Sequence, residues 1–177
     1  MTLLSICIPT FNRGEFLGST LRSVVDQITE DVEVIISDNG SSDSTDTLVR
    51  SFQARYPFIR YEKSEQNLGA DRNFLKVVEL SRAKYCWLLS SDDWIVPGAI
   101  QKVLSCLRAD PDLAGITINR TCYDVRMEQI IPSDPPSILR ESVTLTNSDE
   151  CIEKLCIYSL YWTKNNLMQR KSLIVNT

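Results

Sequence analysis

The 177-residue sequence contains no histidine. Its own residues therefore cannot build a Ser-His-Asp triad, a Cys-His pair or a His-ligated zinc centre. The six cysteines, Cys7, Cys86, Cys106, Cys122, Cys151 and Cys156, include no CxxC pair. They fit small buried hydrophobes in a reducing compartment better than a metal or disulfide framework. No run reaches the roughly 18 apolar residues of a membrane span. The segment Met1 to Pro9 lacks a basic start and a long apolar core, so it reads as a strand and not as a signal peptide. Charge of one sign is not in excess. Nineteen basic residues against 23 acidic ones give a net charge of -4, which provides no broad basic footprint for nucleic acid. Also missing are a GxxxxGK[ST] phosphate loop, a GxGxxG turn and a DxD at the end of the first strand.

What is present is the mix of a folded domain. Apolar residues make up 43% and charged residues 24%, and the length suffices for a core without disulfides. Short apolar runs alternate with helical patterns. Leu3 to Pro9 and Val32 to Ser37 read as buried strands, and Ile59 to Glu62, Tyr85 to Leu89 and Ala114 to Ile118 as further strands. Between them come helical sets: Leu17, Leu21, Val24, Val25 and Ile28; Leu48, Val49 and Phe52; Phe74, Leu75, Val78 and Leu80; Ile100, Val103, Leu104 and Leu107. Ser42, Asp43 or Ser44 can cap the second helix and Pro97 opens the fourth. The alternation predicts an α/β fold with a mostly parallel central sheet. Ligands of such sheets sit beyond the carboxyl ends of the strands, where the polar clusters of this sequence also fall.

Three of those clusters carry chemistry. Asp92-Asp93 follows an apolar strand, and two adjacent carboxylates there call for a compensating cation. Hard oxygen ligands of this kind suit Mg2+ or Mn2+ shared with phosphates; the alternative is one Asp as a helix cap and the other solvated. Asp38 ends the second strand, where it can accept hydrogen bonds from a nucleobase or sugar, or else cap the Asn39-Gly40 turn. Asp71-Arg72 opens a helix whose free amides and guanidinium suit a phosphate; the alternative is a solvated first turn.

Four stretches together are more specific than any one. They are Ser5-Ile6-Cys7-Ile8-Pro9-Thr10-Phe11-Asn12-Arg13, Val34-Ile35-Ile36-Ser37-Asp38-Asn39-Gly40-Ser41-Ser42-Asp43, Asn67-Leu68-Gly69-Ala70-Asp71-Arg72-Asn73-Phe74 and Leu88-Leu89-Ser90-Ser91-Asp92-Asp93. In order and spacing the chain resembles the N-terminal, nucleotide-sugar-binding part of family 2 glycosyltransferases of GT-A fold, a Rossmann-like α/β/α sandwich. The third stretch is similar to bacterial O-antigen sugar transferases such as abequosyltransferases.

The resemblance implies roles. Pro9, Thr10 and Phe11 would lie along the nucleoside, and Arg13 and Asn67 would line the donor site. Asp38 would bond the base, and Asp71 and Arg72 would close over the nucleotide. Asp92 would meet the ribose or donor sugar, and Asp93 would ligate Mn2+ or Mg2+. The implied reaction is inverting, metal-dependent transfer from a nucleotide-diphosphate sugar to a saccharide or lipid-linked acceptor, in cytoplasmic assembly of envelope polysaccharide.

Residues 3–123 are expected to form the donor-binding core and 124–177 part of an acceptor-side region that continues past Thr177 in full-length relatives. The base is expected in that continuation, because Asp149, Glu150 and Glu153 read better as the first turn of a helix. The second reading is a nucleotide-sugar-binding module that transfers nothing. Tyr158, Tyr161 and Trp162 form an aromatic cluster that reads as core or as a homodimer contact, with stacking on a sugar or leaning on a lipid headgroup as the alternatives. Membrane association, at the inner face, would be peripheral.

Overall fold

The computed structural model describes residues 2–110, 113, 115–118, 122–124, 128–131 and 173–176. Two compact units divide them: residues 1–117 with 172–177, and residues 118–171. The first runs β1 (Leu4–Thr10), α1 (Gly14–Val25), β2 (Val32–Asp38), α2 (Thr45–Arg55), β3 (Ile59–Lys63), α3 (Ala70–Glu79), β4 (Tyr85–Leu88), α4 (Ala99–Ala109) and β5 (Gly115–Thr117). In the second, β6 (Cys122–Tyr123) and β7 (Ile130–Ile131) form an antiparallel pair. The final strand, β8 (Leu173–Asn176), returns to the first unit.

The main sheet has the order β3-β2-β1-β4-β8-β5. β3, β2, β1 and β4 are mutually parallel, while β8 lies antiparallel between β4 and β5. All seven residues of β1 are buried, as are all but Glu33 in β2, which explains why these strands read as continuous apolar runs. α1 contributes Leu17, Leu21 and Val24 to the core, and α4 contributes Ile100, Val103, Leu104 and Leu107.

Strand order runs outward from β1 to β3 and then reverses to β4. Right-handed crossovers therefore place α1 and α2 on one face and α3 on the other. The reversal makes a crevice at the carboxyl ends of β1 and β4.

Three local readings differ from the structure. Phe74 and Leu75 are exposed, and Asn73 and Val77 are buried in their place, while Val78 and Leu80 pack against the core as expected. The fourth helix starts at Ala99, two residues beyond Pro97, after Gly98 in the left-handed region. Cys106 is exposed, whereas Cys7 and Cys86 are buried in one cluster with Ile35 and Val77. The neighbouring Cys86 thiol and burial push the Cys7 thiol up, so Cys7 stays protonated.

Opposite the crevice, Glu33 pins the α3–β4 connection. It accepts from the Ser5 hydroxyl (2.6 Å), the Arg82 backbone N–H (2.7 Å) and Arg60 Nη1 (3.3 Å). Burial pushes the carboxyl up, but these hydrogen bonds overcome it and hold Glu33 below the usual glutamate range. A depressed folded value stabilises the fold above the ordinary pKa of about 4.3, and that contribution is lost as pH falls through the folded value. Glu33→Ala is expected to cost about 1–3 kcal/mol at neutral pH, since it takes the acceptor from the buried Ser5 hydroxyl and the ion-pair partner from Arg60. The gap between the urea midpoints of variant and wild type should narrow as the pH is taken down below the ordinary glutamate range. A gap that persists there would remove the carboxylate as its cause.

Candidate functional site

The loops after β1, β2, β3 and β4 all leave the same edge of the sheet, and side chains stitch them together. The β1–α1 loop lies on the β2–α2 loop. Asn39 N–H donates to Thr10 O (2.9 Å), Asn12 N–H to Ser41 Oγ (2.8 Å) and Ser42 N–H to Asn12 Oδ1 (2.9 Å). Asn12 takes a positive φ of 50°, which asparagine tolerates better than most residues. Asp43 accepts from the Gly14 N–H (3.0 Å) and the Thr45 N–H (3.0 Å). One carboxylate thus serves the first turns of α1 and α2, and these bonds hold Asp43 below the usual carboxylate range despite some burial.

The β2–α2 loop lies in turn on the β3–α3 loop. Asn39 Nδ2 donates to Asn67 Oδ1 (2.7 Å) and Gly69 O (3.0 Å), while its Oδ1 accepts from the Leu68 N–H (2.9 Å). Gly40, at φ +79°, passes so close that a Cβ would stand 2.9 Å from the backbone carbon of Gln66. Asn73, on the buried side of α3, donates to Ser37 O (3.0 Å) and Thr10 O (3.3 Å) and accepts from Ser37 Oγ (2.7 Å). Asn39 and Asn73 are therefore structural members of the site that sequence reasoning did not single out. The Asn-Gly turn was the available signal for Asn39. Nothing in hydrophobic patterning marks a buried asparagine at 73.

Pro9 and Thr10 are buried at the end of β1, and Thr10 Oγ1 has no hydrogen-bond partner. Phe11 is 39% exposed beside them. Asp38 is fully buried. Its Oδ1 accepts from the Ser41 N–H (2.8 Å) and its Oδ2 from the Tyr61 hydroxyl (2.7 Å). Asp46 Oδ1, 3.1 Å from the same hydroxyl, is the alternative acceptor for its one proton, and burial together with these carboxylates pushes the phenol up. Asn67 is exposed, with Oδ1 also accepting from the Gly69 N–H (2.8 Å). Asp71 and Arg72 are exposed on the first turn of α3.

Asp92 and Asp93 are half-buried in the turn that follows β4. The Asp93 N–H donates to Ser90 O (3.1 Å), and Asp92 accepts from the Ser90 hydroxyl. Arg13 Nε stands 3.9 Å from Asp92 Oδ2, which joins the β1 loop to the acidic turn across the crevice. Among the described residues no group of three or more His, Cys, Asp or Glu side chains clusters for a metal. Mg2+ and its like take one or two protein carboxylates and complete their shells with phosphate and water oxygens. The Asp92-Asp93 pair, hard oxygen at an open crevice, fits that donor set. No helix among the described residues is long and apolar enough to cross a membrane. Asp149, Glu150, Glu153, Tyr158, Tyr161 and Trp162 lie outside the described residues.

Comparison with known proteins follows the same line. The profile of "Glycosyl transferase family 2" matches residues 5–166. Over 114 residues the chain is 39% identical to the abequosyltransferase RfbV of Salmonella typhimurium, covering 63% of this chain and 34% of that protein. The chain thus spans about a third of that relative's length. The fold matches S. aureus TarS 1–349 in complex with UDP, with a TM-score of 0.69 and 20% identity over 83% of this chain and 43% of that one. It also matches the mannosyltransferase PcManGT of Pyrobaculum calidifontis in complex with GDP-Man and Mn2+, with a TM-score of 0.60 and 17% identity over 66% of this chain and 35% of that one. The expected GT-A type α/β fold is borne out, as is the resemblance to family 2 and its O-antigen transferases.

Proposed function

The chain belongs to glycosyl transferase family 2, and from that premise we propose that its crevice binds a nucleotide-diphosphate sugar whose sugar is transferred, with inversion, to a saccharide or lipid-linked acceptor. The observation that carries the reading is the meeting of the β1 loop and the acidic turn at the β1/β4 reversal, bridged by Arg13 and Asp92. Solved relatives hold UDP in one case and GDP-Man with Mn2+ in another, which supports a donor of this class and a divalent cation.

In this reading the nucleoside lies along Pro9, Thr10 and Phe11, with Asp38 toward the base and Asn67, Asp71 and Arg72 on the nucleotide side. Asp92 meets the ribose or sugar. Asp93 ligates Mn2+ or Mg2+, which when bound supplies positive charge to the leaving diphosphate. The acceptor oxygen forms its bond to the anomeric carbon as the bond from that carbon to the diphosphate oxygen breaks. The electron pair leaves with the nucleoside diphosphate, and a carboxylate base takes the acceptor proton. Arg13 and Arg72 add charge where the diphosphate would lie.

We assign the donor core to residues 3–123 and part of an acceptor-side region to residues 124–177, of which β8 pairs within the main sheet. The site of action in this reading is cytoplasmic, in bacterial envelope polysaccharide assembly, with at most peripheral membrane association.

Calorimetric titration of UDP, GDP, CDP and dTDP, with and without Mn2+, tests the donor site. Mn2+-dependent binding of one of the four is expected, and it names the nucleotide half of the donor. Folded protein that binds none of them would sink the reading. Hydrolysis or transfer of the matching nucleotide sugar then separates an enzyme from a binding module, because a module without a base would bind and not turn over.

A further inference from the structure

The acidic turn has no ladder of its own. β4 ends at Leu88, and the last strand-like bond is from the Leu89 N–H to Cys7 O (3.0 Å). From there to Ala99 the chain follows neither strand nor α-helix geometry. Two adjacent carboxylates in such a segment repel each other and favour a splayed turn. Something must hold it.

Besides the bonds within the turn itself, one set of holding groups comes from one stripe of α1. Thr20 Oγ1 donates to Ser91 O (3.1 Å), and both residues are buried. Ser23 Oγ accepts from the Ile95 N–H (3.0 Å) while donating to Thr20 O (2.7 Å). Gln27 Nε2 donates to Ile95 O (3.3 Å) and to Ser23 O (2.8 Å). Residues 20, 23 and 27 are spaced by three and four, so they share a helix face. The backbone is clamped on both sides of Asp92-Asp93, at Ser91 and at Ile95. Arg13, seven residues before Thr20 and next to the start of the helix, continues the stripe to the Asp92 carboxylate.

We propose that Thr20, Ser23 and Gln27 are positioning residues for the metal-binding carboxylates: α1 holds the turn so that Asp92 and Asp93 face the crevice together. The inference rests on the donor-site reading above. None of the three side chains touches substrate. Their effect passes through the backbone at Ser91 and Ile95, a step further from the metal than groups bonded to its ligands, whose removal costs about 10–100-fold in affinity.

The test uses Thr20→Val, which keeps shape, Ser23→Ala and their double variant in the full chain. Mn2+ alone is titrated by the loss of its free paramagnetic signal, and UDP, GDP, CDP and dTDP by calorimetry with and without Mn2+. The expected result is a drop of up to about tenfold in Mn2+-dependent affinity, the low end of the range for groups bonded to metal ligands, with Mn2+-free nucleotide binding unchanged and the thermal transition still cooperative. Restoring the hydroxyl as Thr at position 23 should recover part of the loss. Variants that melt earlier yet keep wild-type affinity for Mn2+ and its nucleotide complex would overturn the proposal and leave the stripe a structural clip. A wild type that binds nucleotide only without Mn2+ would overturn it differently, by removing the acidic turn as a metal site.

Discussion

Asp93→Ala should lower Mn2+-dependent affinity for a nucleoside diphosphate by more than about 100-fold, beyond the range typical of groups one contact removed from a metal. The argument is one of charge. Asp92 already has Ser90 and Arg13 against its two carboxylate oxygens. In the proposed reading Asp93 is the direct ligand of the cation, and in a site of few carboxylates the loss of one removes much of the charge that holds the metal. Binding in the absence of metal should change little, since one negative charge less near the diphosphate offsets part of any lost contact. Asp93→Asn separates charge from shape: it keeps the turn and weakens the metal-dependent part nearly as far as alanine. Calorimetry with and without Mn2+ reads both. An Asp93→Ala protein with wild-type affinity in Mn2+ would reject the metal assignment and return the acidic pair to helix capping and solvation.

The legible part of the fold is the part whose residues face the same environment along their whole length. β1 and β2 are buried on both faces, so their apolar runs were unambiguous. α1 and α4 bury a stripe at helical spacing. α3 was read half correctly: Val78 and Leu80 pack against the core, but Phe74 and Leu75 do not, because a docking residue, at 73, is polar. Asn73 is admitted to the interior only because Thr10 O, Ser37 O and Ser37 Oγ satisfy its amide. A hydrophobic count cannot see such a trade, and it assigns the face to Phe74 and Leu75 instead.

β8 escaped for another reason. It pairs with β4 and β5 across a long stretch of chain, and its place between two strands of opposite direction leaves no local pattern. The candidate site was legible as residue types at strand ends. Its cohesion was not: Asn39 to Asn67, Asn12 to Ser41 and Thr20 to Ser91 are long-range bonds that no spacing rule predicts.

Asp38 is where the two readings of the sequence meet most directly, and two substitutions separate them. Asp38 accepts from Ser41 and Tyr61 and is fully buried, so in this conformation it is a turn-former. A carboxylate has about four acceptor positions, and two are in use here. A nucleobase N–H can take a third once the loops around this buried carboxylate open to admit it. Asp38→Ala leaves the Ser41 N–H without its acceptor and should cost about 1–3 kcal/mol of stability. Tyr61 keeps Asp46 as a partner, so the loss stays within that range. Asp38→Asn is the sharper variant. Its amide oxygen can still accept from Ser41, and its amide nitrogen can donate to the Tyr61 oxygen, so the melting temperature should stay close to wild type. It lacks the charged acceptor, however. If Asp38 meets the base, nucleoside affinity should fall about tenfold or more, the worth of one hydrogen bond to a charged group. Thermal melting and nucleoside titration of the same two proteins decide the matter. Asp38→Asn with normal melting and weakened binding assigns Asp38 to the ligand, whereas normal melting and normal binding assign it to the turn alone.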